Sequence, residues 1–367
     1  VTRERHLPYL DGLRALAALF VVLHHAVLQV DFSRQPLTGP LRMVLRPLYF
    51  GHYAVVLFIV LSGFCLMLPV LRSGGTLRGG YLNFLKRRAW RILPPYYFAV
   101  GLSLLLIWTL IGQKTGTHWD VSLPVKVRSL WTHLVMLHDA TGEDLSINHV
   151  LWSIAVEWRI YLLFPLPLWL WRKLGPLAAT LVLTVVSYLL FGLGEWAIHA
   201  SLHAHYLGFF GMGMLAATLA CSKDGAPSGM RRWPWSLITL GAAILLAAVS
   251  VASLPGGAAI PYQFRDAFAG LASMALLITV SRDESFWLTR FLAWRPLVFI
   301  GTFAYSVYLI HAPLLQVLWQ YPLASLQERP LAMFLSLATL GSALILVASY
   351  LFFLVCERPF LRLRKRD

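Results

Sequence analysis

The sequence predicts an all-α, polytopic membrane protein with about ten transmembrane helices and both termini cytoplasmic. Three observations carry this. Hydrophobic residues make up 58% of the 367 residues and charged residues only 13%, where a soluble globular chain is roughly half apolar and about a quarter charged. The apolar residues gather in runs as long as the ~20 residues a helix needs to cross the hydrocarbon. The Lys and Arg residues between the runs alternate between crowded and sparse segments. With a mean hydropathy of +0.68, too few polar residues remain to coat a surface in water. A soluble enzyme, a disordered chain and a nucleic-acid-binding protein are excluded together, despite the net charge of +15.

The runs fall at 10–29, 50–70, 93–112, 149–171, 177–196, 204–221, 234–254, 260–280, 296–318 and 331–355. Arg3 and Arg5 precede the first run as in a secretory signal. Because Arg14, His24 and His25 interrupt it and no small-residue cleavage site follows, it is expected to be a retained helix. Asp11 is a candidate cap for this helix. Pro94 and Pro95 are expected to open the third. The longest connector, 113–148, carries Asp120, Asp139, Glu143 and Asp144. Within it, 125–137 reads either as a short interfacial helix or as a solvated connector. With a cytoplasmic N-terminus, 21 of the 31 Lys and Arg lie on the inner side and 7 on the outer, as the positive-inside rule requires. The other three, Arg14, Arg159 and Arg265, fall within runs. No repeat or boundary divides the chain, so 1–367 is expected to be a single integral membrane domain. Cys65, Cys221 and Cys356 lie in or beside apolar runs, with no disulfide framework or zinc-finger spacing.

Ionisable groups inside such runs are costly, so each is a functional candidate. Arg14 and His25 are eleven residues apart, which puts them on one helix face roughly 16 Å apart. They read as the two mouths of a polar cavity, or as a snorkelling arginine and a core histidine. Glu157 lies roughly 12 Å inside the fourth run, with Ser153 and Tyr161 on its face at i±4. A buried carboxylate near His25 would orient the imidazole and raise its basicity; a structural pair with Arg14 or Arg265 is the alternative. In the ninth run Tyr305, Tyr308 and His311 repeat at i+3, as a second polar wall or as packing. Arg88 and Arg91 stand at i, i+3 before the third run. They offer two guanidinium forks to phosphate oxygens, or serve topology and anionic lipid. Glu195, His199 and His203 step by four with His205 close by. This is no recognised zinc pattern, and no metal is expected.

Taken in order, these segments resemble the acyltransferase-3 family of integral membrane O-acyltransferases. LDGLRALAALFVVLHH resembles its first-helix signature, with Arg14 and His25. LFIVLSGFCL, with Ser62, Gly63 and Phe64, resembles its second helix, and RRAWRILPPYY, with Arg88 and Arg91, its R-x-x-R motif. LWSIAVEWRIYLLFP resembles its W-S-x-x-V-E segment, with Trp152, Ser153, Glu157 and Tyr161. AYSVYLIHAP and CERPF resemble its late motifs. Many members carry a second acidic residue where this chain has Trp158, so one carboxylate is claimed there. No esterase-like domain is expected at the C-terminus.

The resemblance implies transfer of an acyl group, often acetyl, from cytoplasmic acyl-CoA to a hydroxyl. The donor is a substrate and no bound cofactor is expected. His25, Glu157 and Arg14 would be catalytic, with His25 deprotonating the acceptor or carrying the acyl group. Arg88, Arg91, Ser62, Ser153, Tyr161, Tyr305, Tyr308 and His311 would contact substrates. A cell-surface or lipid-linked glycan is the first choice of acceptor and a small metabolite such as a macrolide the second. A secondary transporter is the non-enzymatic alternative, although the inverted repeats common among transporters are missing. The expected partners are acyl-CoA, the acceptor and the bilayer, with no nucleic acid, in the bacterial cytoplasmic (inner) membrane.

Overall fold

The computed structural model describes residues 7–33, 38–198, 202–222, 228–253 and 260–363. Every regular element among them is helical. The long helices are α1 (Pro8–Leu28), α2 (His52–Arg72), α3 (Gly80–Leu106), the short α4 (Val127–Leu134), α5 (Trp152–Leu163), α6 (Pro165–Leu174), α7 (Pro176–Ile198) and α8 (Tyr206–Cys221). They continue as α9 (Trp235–Ala252), α10 (Tyr262–Arg282), α11 (Arg295–Gly301), α12 (Ala304–Gln320), α13 (Pro330–Ser336) and α14 (Ser342–Phe352).

Among the described residues seven helices are long and apolar enough to cross a membrane, and nine if two bent pairs each count as one span. The pairs are α5 with α6, bent by 53°, and α11 with α12, bent by 72°. The tenth expected span is α8. At 16 residues it is only about 24 Å long, short of the ~30 Å hydrocarbon core. Two starts differ from expectation. α1 begins at Pro8, which puts Asp11 inside its first turn and not at its cap. α3 begins at Gly80, so Pro94 and Pro95 lie within it. The basic segment with Arg88 and Arg91 is therefore the first half of a long helix. Arg3, Arg5 and the last basic residues lie outside the described residues.

The outward faces are apolar. Leu181, Val185, Leu189 and Leu193 form an i, i+4 stripe along α7, each more than half exposed. Leu237, Leu240, Ile244 and Val251, spaced by three, four and seven, line one face of α9 and are equally exposed. A bilayer is the solvent that accepts such stripes. This is a multi-pass membrane protein.

The chain groups into two compact units. One takes the residues up to Arg14, with His52–Leu85 and Arg159–Val298. At its centre α8, almost wholly buried, packs on α2, α7 and α10. A Cβ at Gly63 would collide with the Phe210 carbonyl, and one at Gly213 with the Val60 carbonyl. Glycines at both positions let the α2 and α8 backbones touch, as small residues do between membrane helices. The other unit takes Ala15–Gly51, Lys86–Trp158 and the chain from Phe299. In it the connector 113–148 is folded. Of the two readings of 125–137, the structure has the short helix, α4, and it is turned inside out relative to a helix in water. Ser129 and His133 are buried, while Val127, Trp131 and Leu134 are exposed. Ser129 donates to Glu143 at 2.6 Å, and the His133 and His138 rings stack at 3.9 Å. Tyr96 of α3 donates to the His133 carbonyl at 3.1 Å. An apolar outer face of this kind suits a membrane interface.

Two outcomes follow. Gly213→Val overpacks the α2–α8 contact and is expected to cost about 1–3 kcal/mol or more, read as a lower Tm of the detergent-solubilised protein. Burial lowers His133 to about 4 from an ordinary 6.5. Between those values the unfolded connector binds a proton that the folded one refuses, so its stability is complete above the higher value and is lost as pH falls toward the lower. Amide exchange across 118–147 should therefore accelerate as pH is lowered through that window, after correction for intrinsic exchange. His133→Gln should flatten the dependence.

Candidate active site

α1 continues unbroken from Pro8 to Leu28 and carries both Arg14 and His25. Near its start Arg14 pairs with Asp11 at 2.5 Å and reaches the Cys65 sulfur of α2 at 3.1 Å. The guanidinium is thus held by its own helix and by α2. Ser62 of α2 and Tyr161 of α5 share a hydrogen bond of 2.6 Å.

The second unit holds the richer constellation. His311 of α12 is fully buried. Its Nδ1 faces two backbone carbonyls of its own helix, Tyr308 at 2.8 Å and Val307 at 3.1 Å. Carbonyls only accept, so Nδ1 carries the proton and, in the neutral ring, Nε2 is an acceptor. Nε2 lies 3.0 Å from Nδ1 of His25. That same Nδ1 lies 3.0 Å from the Val21 carbonyl. Facing two acceptors, His25 Nδ1 is the protonated nitrogen, and the lone pair of the ring is on Nε2. The tautomer is assigned from these partners. His25 thereby has the form that a general base or an acyl-accepting nucleophile requires.

Further pairs hold the helices around it. Ser153 of α5 and Tyr308 of α12 share a hydrogen bond of 2.7 Å, and Tyr308 also donates to the Val150 carbonyl at 3.1 Å. Glu157, one turn beyond Ser153, acts electrostatically on the Tyr308 hydroxyl. Gln29, just past α1, donates to Gln316 of α12. Since 25 pairs with 311 and 29 with 316, α1 and α12 run parallel here. Gln316 also binds Thr115 and Thr117, which ties the connector to both helices. Asn148 donates to Ser103 and to the Leu309 carbonyl at 3.1 and 3.0 Å.

Those ties bring two unexpected histidines to His25. The His118 ring lies 5.9 Å and the His149 ring 5.0 Å from that of His25, and they are 4.7 Å from each other. No spacing rule links positions 25, 118 and 149, which come from a helix and the two ends of a connector. His149, three residues before the Trp152 segment, was the one readable hint. The His24 ring stands edge-on to that of His25 at 4.7 Å, with its Nδ1 at 2.6 Å from the Leu48 carbonyl and 3.3 Å from the Gly51 nitrogen.

The expected site residues therefore divide. His25, Ser153, Glu157, Tyr308 and His311 are brought into one unit, with His311 and not a carboxylate as the described hydrogen-bond partner of the His25 ring. Tyr305 donates to the Ile92 carbonyl of α3 at 3.1 Å. Arg88 and Arg91 are half-buried in the same unit, where the Arg91 charge acts on the buried Glu357, and Glu357 accepts from Ser306 at 2.6 Å. Arg14, Ser62 and Tyr161 belong to the first unit. The side chain of Glu195 and all of His199 lie outside the described residues. His205 faces Asp266 at 3.7 Å, on whose other oxygen sits His52 at 3.0 Å. The three cysteines are free.

Comparison with known proteins adds the following. The O-acetyltransferase OatA of Staphylococcus aureus is 26% identical over 330 residues, covering 85% of this chain and 51% of that protein. The peptidoglycan O-acetyltransferase OatA of Listeria monocytogenes is 22% identical over 339 residues, 85% and 50% of the two chains. YrhL of Bacillus subtilis is 24% identical over 336 residues, 85% and 49%. The chain thus spans about half the length of these relatives. No solved structure matches it. The family described as an acyltransferase domain matches residues 7–354, and with that match over nearly its whole length the chain belongs to the acyltransferase-3 family.

Proposed function

We propose that the protein is a membrane O-acyltransferase that moves an acyl group, acetyl in the first instance, from cytoplasmic acyl-CoA to a hydroxyl of a cell-surface or lipid-linked glycan. Family membership supports O-acyltransferase activity. The names of its relatives, one of them a peptidoglycan O-acetyltransferase, support a glycan acceptor. The single observation that carries the chemistry is the lone pair on His25 Nε2, held there because Nδ1 faces only acceptors.

In this reading Nε2 takes the proton of the acceptor hydroxyl as its oxygen attacks the thioester carbonyl. The C–S bond then breaks, and the CoA thiolate takes the proton back from the imidazolium. His311 is a positioning residue. Its Nε2 accepts from His25 Nδ1–H and stabilises the imidazolium when His25 is protonated. Glu157, which acts on the Tyr308 hydroxyl next to His311, balances the imidazolium in this reading. Arg88 and Arg91 hold the donor, with the two guanidinium forks of α3 on its phosphates. The positive-inside bias supports an α3 start on the cytoplasmic side of the inner membrane, where acyl-CoA is made.

Purified protein in lipid, given radiolabelled acetyl-CoA, tests this. His25→Ala should lower acyl transfer by about 10²–10⁴-fold, the usual contribution of a positioned base; unchanged transfer would end the proposal. Label retained on the protein and lost in the mutant would move His25 from base to acyl carrier. His311→Ala should lower kcat by about tenfold, the equivalent of one ordinary hydrogen bond, and shift the pH–rate profile, with His311→Gln restoring part of both. Arg88→Ala and Arg91→Ala should each raise KM for the donor by about tenfold or more, the worth of a charge-assisted contact, with little change in kcat.

A further inference from the structure

We infer that His25, His118 and His149 form a binding site for a divalent transition-metal ion of the zinc class. One ring nitrogen from each lies within 4.8 Å of the others. A tetrahedral ion with bonds of about 2.0–2.1 Å needs its nitrogens about 3.3 Å apart. The largest gap therefore has to close by no more than about 1.5 Å.

The hydrogen bonds select the nitrogens. His25 Nδ1 is committed to Val21 and His311, which leaves Nε2. Nδ1 of His149 lies 3.1 Å from Ser122 Oγ, and that oxygen also accepts from the His149 backbone N–H at 3.2 Å. Nε2 of His149 is buried and has no hydrogen-bond partner, in a side chain only 5% exposed. An orphaned polar atom of this kind destabilises the fold unless something binds it. The His118 ring makes no hydrogen bond to the described residues, so both of its nitrogens are available. Ligating histidines almost always donate their other N–H to a fixed acceptor. Two of the three rings already stand over such acceptors, His311 and Val21 under His25 and Ser122 under His149.

The donor set names the class of ion. Three neutral imidazoles and no carboxylate suit Zn²⁺, Co²⁺, Ni²⁺ or Cu²⁺, whereas Mg²⁺ and Ca²⁺ take oxygen ligands. Three protein ligands leave the fourth position open. The consequence for turnover rests on the acyltransferase reading, while the site itself does not. A metal on His25 Nε2 occupies the lone pair that would take the acceptor's proton, so metal occupancy and base catalysis exclude each other.

The test uses the full chain in lipid nanodiscs, stripped with chelator and titrated with Co²⁺. About one Co²⁺ per chain with the intense visible bands of tetrahedral coordination is expected, displaced by Zn²⁺. His118→Ala leaves the buried network intact and should weaken Co²⁺ binding at least 100-fold; Ser122→Ala should weaken it about tenfold, as removal of an outer partner does. His203→Ala, in the other unit, should leave it unchanged. Absence of tetrahedral Co²⁺ binding, or equal binding by wild type and His118→Ala, overturns the site. In the acyl-transfer assay Zn²⁺ should suppress turnover and chelator restore it. Turnover that instead requires Zn²⁺ supports the site and overturns the role of His25 as the base. Binding without any acyl transfer supports the site and overturns the acyltransferase reading alone.

Discussion

The fully buried imidazole of His311 has to be hydrogen-bonded, and that requirement is met by two carbonyls of its own helix and by His25. The pair holds α1 and α12 in parallel register, and the Gln29–Gln316 contact repeats the tie beyond it. An unmet polar group here costs far more than an ordinary hydrogen bond contributes, because no water competes and none compensates. Slipping either helix by one residue would swing His311 about 100° away from His25. The carbonyls of Val307 and Tyr308 then decide which nitrogen of each ring carries the proton. A backbone feature of α12 thereby determines the chemistry available on α1.

The connector between α3 and α5 depends on the same register. Gln316 reaches Thr115 and Thr117, while Asn148 reaches Ser103 and Leu309. Both ends of the connector are thus tied to α12 and α3, and His118 and His149 come with them. In its middle the polar side chains of α4 turn inward and the apolar ones outward. The exposed stripes of α7 and α9 follow the same rule. Where the surroundings are lipid, the burial that matters most is of polar groups, and the apolar faces are left for the solvent.

Much of this was legible beforehand. Ten apolar runs correspond to seven long helices, two bent pairs and the short α8, because a length of about 20 apolar residues is a one-dimensional property. Pro165, opening α6, follows the bend after α5, and the bend between α11 and α12 falls between Gly301 and Ala304; neither stops an apolar run, so each pair reads as one span. α3 starts well before its apolar run because its first half is basic, and hydropathy alone does not distinguish a basic helix from a loop. Asp11 reads as a cap, yet the helix begins earlier, at Pro8.

The sequence by itself determined the membrane class, the helical spans, the family and the identity of His25 as the group to examine. These depend on composition, on run length and on motifs that are local along the chain. Only the tertiary structure decided what His25 touches. The partner is a histidine 286 positions away, where a carboxylate on α5 had been expected to do the orienting. Two more histidines arrive from a connector that has no period to read. Contacts between distant segments are set by packing and by the need to satisfy buried polar atoms, and neither leaves a trace in the spacing of residues along one chain.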